Sequence, residues 1–214
     1  MKAIFKANRS FLFPYLVFII FGAVLIIINS KAETHLSVNT FHNSFFDTVF
    51  YYTTFLGDGV TATLVVIILF TAKFRYVLIV GLSNIISALI TQTLKHTLFA
   101  EVVRPKKFFE GVQDLYFVPG VENYMYNSFP SGHSTCAFSL YFALALIVKN
   151  KTYKILFCIL ALLVGYSRIY LSQHFFEDVY AGSVIGVITT LIVFYFIQKS
   201  NKNWMDGSLI TILK

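Results

Sequence analysis

The chain has 214 residues, of which 57% are hydrophobic and only 13% charged, and its mean hydropathy is +0.72. These proportions exclude an ordinary soluble domain and describe an integral membrane protein, read as one domain over residues 1–214. The formal net charge of +7 is explained by where the cations fall between apolar runs; no basic, aromatic-interleaved patch is present, so no nucleic-acid partner is expected.

The first apolar run, Phe11 to Asn29, follows Lys2, Lys6 and Arg9 and is long enough to cross the ~30 Å hydrocarbon layer. Ser30-Lys31-Ala32 after it resembles a signal-peptide cleavage site. The run exceeds the ~7–15 residues of a signal core, so an uncleaved anchor is expected. Next, FHNSFFDTVFYYTTFLGDG carries Phe41, Phe45, Phe46, Val49 and Phe50 at helical spacing, which suits a helix lying in the membrane interface. Further runs stand at Val60 to Ala72, Tyr76 to Leu94, Thr135 to Val148, Tyr153 to Tyr170 and Val179 to Ile197. The expected fold class is all-α: a bundle of six transmembrane helices with an interfacial helix between the first two spans. The second and fourth runs are short and have to borrow residues from their flanks. Cys136 and Cys158 lie inside apolar runs without metal-ligand spacing and read as small core residues.

Positive residues are retained on the cytoplasmic side. Placing the N-terminus inside collects Lys2, Lys6, Arg9, Lys73, Arg75, Lys149, Lys151, Lys154, Lys199, Lys202 and Lys214 there. The expectation is a multi-pass protein of the plasma (inner) membrane with both termini cytoplasmic.

Ionisable groups at membrane depth are costly unless paired or hydrated, so those within or beside the spans are functional candidates. Lys95 closes the third span, Arg104-Pro105 follows in the loop, Ser131-Gly132-His133 opens the fourth, and SRIYLSQHFFED, with Arg168, His174 and Asp178, ends the fifth. In the chosen orientation all four clusters meet at one extracytoplasmic mouth. Three cations beside a helix start, whose free N–H groups and dipole favour an anion, suggest a phosphate ligand. Gly132 lets the backbone approach closely and Pro130 presets the turn before the helix. Two histidines among cations, with no Cys or Glu partner nearby, favour proton and phosphoryl chemistry over a metal or other cofactor. His174 and Asp178 are four apart, so on a continuous helix the carboxylate holds one ring nitrogen and leaves the other free to attack phosphorus. Each feature alone has a bland reading, as a helix start, a capping pair or a snorkelling arginine. Their arrival on one side and in one order favours a site.

Lys95 to Arg104-Pro105, SFPSGH at Ser128 to His133, and SRIYLSQHFFED at Ser167 to Asp178 resemble the three signature motifs of the type 2 phosphatidic acid phosphatase (PAP2) superfamily. The resemblance covers most of the chain, including Phe55-Leu56-Gly57-Asp58 before the second span. One departure is the first motif, where eight residues rather than six separate Lys95 from Arg104; Lys106 and Lys107 stand as alternatives for the lysine role. The resemblance implies a metal-independent, two-step phosphatase. His174 would be the nucleophile, Asp178 its support and His133 the acid and then the base, while Lys95, Arg104, Ser131, Gly132 and Arg168 would bind the phosphoryl oxygens. The implied partner is a phosphorylated lipid in the membrane: undecaprenyl diphosphate, phosphatidylglycerol phosphate, phosphatidate and lipid A phosphates all fit. The loop Ala100 to Tyr126, rich in aromatics, is the expected selector among them. A vanadium haloperoxidase-like enzyme shares such an anion site but belongs to soluble relatives. A silent lipid-binding or transport protein would be expected to lose a catalytic histidine.

Overall fold

Every long apolar run becomes a helix, and three of the six start on a capping side chain, Asp58, Ser131 and Asn150. The computed structural model describes residues 2–212, so the readings placed on Lys214 and on the side chain of Lys2 lie outside it. In chain order the helices are α1 (Lys2–Ala7), α2 (Arg9–Ile28), α3 (Lys31–Asn39), α4 (Ser44–Thr53), α5 (Gly59–Leu69), α6 (Phe74–Thr97), α7 (Pro105–Phe108), α8 (Gly132–Ile147), α9 (Lys151–Tyr170), α10 (Phe176–Lys199) and α11 (Leu209–Ile212). Short 3₁₀ turns occupy Thr54–Gly57 and Asn203–Asp206. Among the described residues there is no strand, and the architecture is all-α.

Helices α2, α6, α9 and α10 are long and apolar enough to cross a bilayer, and the pair Ser44–Gly57 and Gly59–Leu69, bent by 53° at its break, adds a fifth path of that kind. Helix α8 has only 16 residues, about 24 Å of rise. It needs no lipid-facing surface because α6, α9 and α10 pack around it. Ala137, Phe138, Leu140, Phe142, Ala143 and Ala145 are accordingly fully buried. Helix α2 joins this core through its first half, with the Phe11 ring 4.9 Å from Phe142 and Tyr15 5.6 Å from Phe138.

Two sequence features set how closely the central helices approach. On α6, Ser83, Ser87, Thr91 and Lys95 recur every fourth residue and all four are buried, so one narrow polar stripe faces inward and ends at Lys95. On α10, a Cβ added at Gly182 would stand 2.6 Å from the Ser131 carbonyl, and one at Gly186 2.6 Å from that of Thr135. Glycine at both positions lets α10 lie directly on the first turns of α8, the packing mode of small residues between membrane helices. Hydroxyl pairs lock the same contacts: Thr91 Oγ1 donates to Thr135 Oγ1 at 3.0 Å, and Ser139 and Thr190 lie 3.0 Å apart.

The segment between the first two long helices holds two helices where one was expected. Ser30, read in the sequence as part of a cleavage-like tripeptide, is the N-cap of α3: its Oγ accepts the Glu33 N–H at 3.2 Å while the Glu33 carboxylate accepts the Ser30 N–H at 2.9 Å. The expected aromatic helix is α4, which begins at Ser44 and leaves Phe41 outside it. Asp47 fastens α4 to the rest, accepting from Tyr170 Oη at 2.7 Å and Tyr116 Oη at 2.8 Å.

Candidate active site

The start of α8 is built around Ser131. Its N–H donates to the Asp178 carbonyl at 3.0 Å. Its Oγ accepts from the Ser134 N–H at 3.4 Å and from Ser134 Oγ at 2.9 Å, keeping its own proton to give. With those amides engaged, the N–H groups of Gly132 and His133 are the ones at this helix start without an intrahelical partner. A Cβ at Gly132 would meet nothing within 4 Å, so open space borders the helix at its first residue. The preceding loop is held against them by Ser128, whose N–H donates to the Val102 carbonyl at 2.9 Å.

The sequence reading set His174 and Asp178 on one continuous helix, and the structure corrects it. The chain leaves α9 at Tyr170 and enters α10 at Phe176. The amides of Gln173 and His174 both turn back onto the Arg168 carbonyl, at 3.0 and 3.1 Å, and Ser172 takes a φ of 53°, which no helix continues through. The imidazole still reaches the carboxylate, because Asp178 sits in the first turn of α10 and folds over its N-terminus. His174 Nδ1 lies 3.2 Å from Asp178 Oδ2, and the same oxygen accepts the Phe175 N–H at 3.0 Å and Ser128 Oγ at 2.5 Å. Those partners fix the imidazole with Nδ1 toward the carboxylate and Nε2 away from it.

Three buried cations complete the site: Lys95 at the end of α6, Arg104 in the following loop and Arg168 in the last turn of α9. Arg104 spends most of its guanidinium locally. Nε donates to the Tyr126 carbonyl at 2.9 Å, Nη1 to the Gln173 carbonyl at 3.0 Å and to Gln173 Oε1 at 3.3 Å, and Nη2 to the Asn127 carbonyl at 3.4 Å. Arg168 donates from Nη1 to Thr54 Oγ1 and from Nη2 to Gln173 Oε1 at 3.2 Å. Its buried Nε has no partner among the described residues. None of the three cations belongs to an ion pair among those residues. Of the lysines the first motif left open, Lys106 is exposed and Lys107 turns to Glu110 at 2.5 Å; Lys95 is the one within the cluster. His174, outside the helices and almost wholly buried, is held well below the usual imidazole range, first by burial and then by the positive fields of Arg104, Lys95 and Arg168.

The eight residues singled out in the sequence gather around His174, whose imidazole feels Arg104, Lys95, Arg168 and His133 together, and three that were not singled out join them. Ser128 stands in the SFPSGH stretch, Gln173 immediately before His174, and Thr54 in the turn preceding the Leu-Gly-Asp stretch. The sequence carried their positions but no sign of their contacts, which depend on the break between α9 and α10. Among the described residues no three of His, Cys, Asp and Glu gather as metal ligands would; what converges is cations, imidazoles and free amides, the complement of an oxyanion. A groove of about 600 Å³ between α5 and α6, walled by Ala62, Val66, Gly81 and Ile85, runs up to Gly132 and His133.

The sequence pattern of the PAP2 superfamily matches residues 76–202. The chain is 39% identical over 79 residues to bacitracin transport permease protein BcrC of Bacillus licheniformis, covering 37% of this chain and 38% of that protein. It is 34% identical over 80 residues to the lipid A 4'-phosphatase of Porphyromonas gingivalis, covering 37% of this chain and 34% of that protein. It is 38% identical over 81 residues to phosphatidylglycerophosphatase B of Bacillus subtilis, covering 34% and 40%. These alignments span less than half the length of the curated relatives. Among solved structures, LpxE of Aquifex aeolicus superposes with a TM-score of 0.69 at 26% identity, over 77% of this chain and 94% of that one. A PAP2-type phosphatidylglycerolphosphate phosphatase from Bacillus subtilis superposes with a TM-score of 0.59 at 24% identity, over 93% and 99%, a likeness of fold.

Proposed function

The chain belongs to the PAP2 superfamily, and from that premise we propose that it is a single-domain, integral-membrane lipid phosphate phosphatase that uses a phosphohistidine and no metal. The charge balance of the site carries the reading. Buried Lys95, Arg104 and Arg168 are opposed by one buried carboxylate, Asp178. With His174 neutral and His133 carrying the proton it donates below, this leaves about three positive charges, against which a phosphate monoester sets about −1.5 to −2 near neutral pH. The unpartnered Arg168 Nε, the free amides of Gly132 and His133 and the spare proton of Ser131 supply donors for its oxygens.

The chemistry follows from which nitrogen is free. His174 carries its proton on Nδ1 toward Asp178, so the lone pair on Nε2 attacks phosphorus. As the N–P bond forms, the P–O bond to the leaving group breaks and His133 gives that oxygen a proton. In the second step His133, now neutral, takes a proton from water; the hydroxide attacks phosphorus, the P–N bond breaks and the electron pair returns to Nε2. Phosphate leaves and both histidines are back in their starting states. The cations balance charge on the equatorial oxygens in both steps.

The groove ending at Gly132 and His133 suits an apolar tail beside a headgroup at the site, and the names of the lipid A and phosphatidylglycerophosphate relatives point to the same class of substrate. Undecaprenyl diphosphate and phosphatidate complete the candidate set. The name of one relative indicates transport, but His133, His174 and Asp178 are all in place here. We read the bundle as six spans, with α5 and the turn before it as the second, α4 lying in the interface ahead of it and α8 as the short central span. The termini are cytoplasmic and the site faces out from the plasma (inner) membrane. Purified protein should release phosphate from at least one of the four lipids in the presence of EDTA, and His174→Ala should abolish both turnover and the acid-labile phosphoenzyme. Undiminished phosphoenzyme in that variant, or a strict magnesium requirement, overturns the mechanism.

A further inference from the structure

Gln173 is not among the residues whose chemistry the proposed reaction needs, yet it touches both guanidiniums. It is 4% exposed, and its Oε1 accepts from Arg104 Nη1 at 3.3 Å and from Arg168 Nη2 at 3.2 Å. Its own carbonyl takes a second bond from Arg104 at 3.0 Å. Its Nε2 donates to the Glu122 carbonyl, at the start of the stretch whose Tyr126 and Asn127 carbonyls hold the rest of Arg104. We propose that Gln173 is a positioning residue: its amide oxygen fixes the spacing of Arg104 and Arg168 while leaving their charge to the substrate. The inference rests on the phosphatase reading above and deepens it.

The choice of an amide is the physical core of the argument. Two guanidiniums buried side by side repel, and something must hold them at the separation a phosphoryl group needs. A carboxylate would do so strongly, but would cancel one of the two charges the anion is to meet. A neutral carbonyl dipole accepts from both and cancels neither. The turn that aims Gln173 is itself braced. Ser172 keeps its φ of 53°, unusual for any residue but glycine, and its Oγ lies 3.2 Å from both His35 Nε2 and Asn39 Nδ2. Asn39 also grips the backbone of Tyr116, accepting its N–H and donating to its carbonyl, each at 2.9 Å. Helix α3 thus buttresses the turn from outside the motif-bearing segments.

The test uses full-length protein in detergent, with lipid phosphate turnover, inhibition by orthovanadate, and the rise in Tm that orthovanadate produces. Gln173→Leu removes the shared acceptor and should weaken orthovanadate binding and kcat/KM by roughly tenfold or more, the scale of one lost hydrogen bond to a charged group. Gln173→Glu keeps oxygens for both arginines, so its Tm should exceed that of Gln173→Leu, but its added charge should weaken orthovanadate by at least as much. Opposite movement of Tm and anion affinity between the two variants is what a purely structural glutamine would not give. Orthovanadate affinity within twofold of wild type in either variant overturns the proposal. A wild-type protein whose Tm responds to orthovanadate but which releases no phosphate from any lipid overturns the phosphatase reading instead, and leaves the variant comparison of anion affinity still decisive for Gln173.

Discussion

Gly182→Ala should separate catalysis from stability, because the methyl it adds lands on the joint that assembles the site. The new Cβ would lie 2.6 Å from the Ser131 carbonyl, 3.1 Å from Thr135 Oγ1 and 3.2 Å from Ser134 Cβ. All three belong to the first turn of α8 or its cap, and the nearest is backbone, so no rotamer change relieves the clash. Reaching ordinary contact at 3.4 Å requires α8 and α10 to part by about 0.8 Å at this level. Overpacking of this kind costs about 1–3 kcal/mol, offset by about 1 kcal/mol from replacing a helical glycine. The net loss of about 0–2 kcal/mol should lower Tm by only a few degrees. The displacement, however, falls where the Ser131 amide meets the Asp178 carbonyl at 3.0 Å, so His174 and the amides of Gly132 and His133 move apart. A misplacement near 1 Å costs about 10²-fold in rate, and kcat, measured well below Tm, should fall by about 10- to 100-fold. Gly207→Ala is the control: its Cβ would come no nearer than 3.3 Å, to the Trp204 carbonyl, outside the site and its groove, and it should leave kcat unchanged. A Gly182→Ala enzyme with kcat within twofold of wild type, or a Gly207→Ala enzyme equally impaired, would refute the argument.

Gly132→Ala should show the inverse pattern of a folding mutation: its Cβ meets nothing of the protein, so Tm should hold while kcat/KM and orthovanadate binding fall by about tenfold or more; a drop in Tm with unchanged kcat/KM would mean the space is not the anion site. Burial pushes His35 down to about 4, so below the unfolded imidazole value of ~6.5 the unfolded chain binds a proton the folded one refuses, and stability is complete above that pH and lost progressively toward pH 4. His35→Gln should flatten the fall of Tm between pH 6.5 and 4, and a slope unchanged from wild type would refute the assignment. For sidedness, cysteines at exposed Asp114 and Lys149, which bound opposite ends of the path through α8, should be tested in a background without Cys136 and Cys158. An impermeant maleimide should label the first in intact cells and the second only after lysis; the reverse would place hydrolysis in the cytoplasm.

The sequence displayed most of the scaffold because lipid leaves so few options to an apolar run. With no water to satisfy backbone groups, a long hydrophobic stretch has to be helical, and six runs became helices within a few residues of the expected ends. What escaped was governed by contact rather than hydropathy. Helix α3 is too polar to register as an apolar run, yet Ser30 and Glu33 spell a capping box that would have announced it. Gly182 and Gly186, spaced as small residues are at close helix crossings, were likewise visible and unread.

The site was legible for a different reason. Three buried cations gathered around a single carboxylate form an imbalance too costly to keep for packing, so Lys95, Arg104 and Arg168 mark a place where charge is expected to arrive from outside. The same reasoning shows why Gln173 stayed hidden. A neutral amide costs little wherever it finds hydrogen bonds, and LSQHFF contains neither the glycine nor the proline that advertises a turn. The break that puts Gln173 between two arginines is sustained instead by the left-handed backbone at Ser172 and by His35 and Asn39, more than 130 residues earlier in the chain. Charges that await a ligand can be read locally, whereas the neutral groups that space them are defined only once the helices have met.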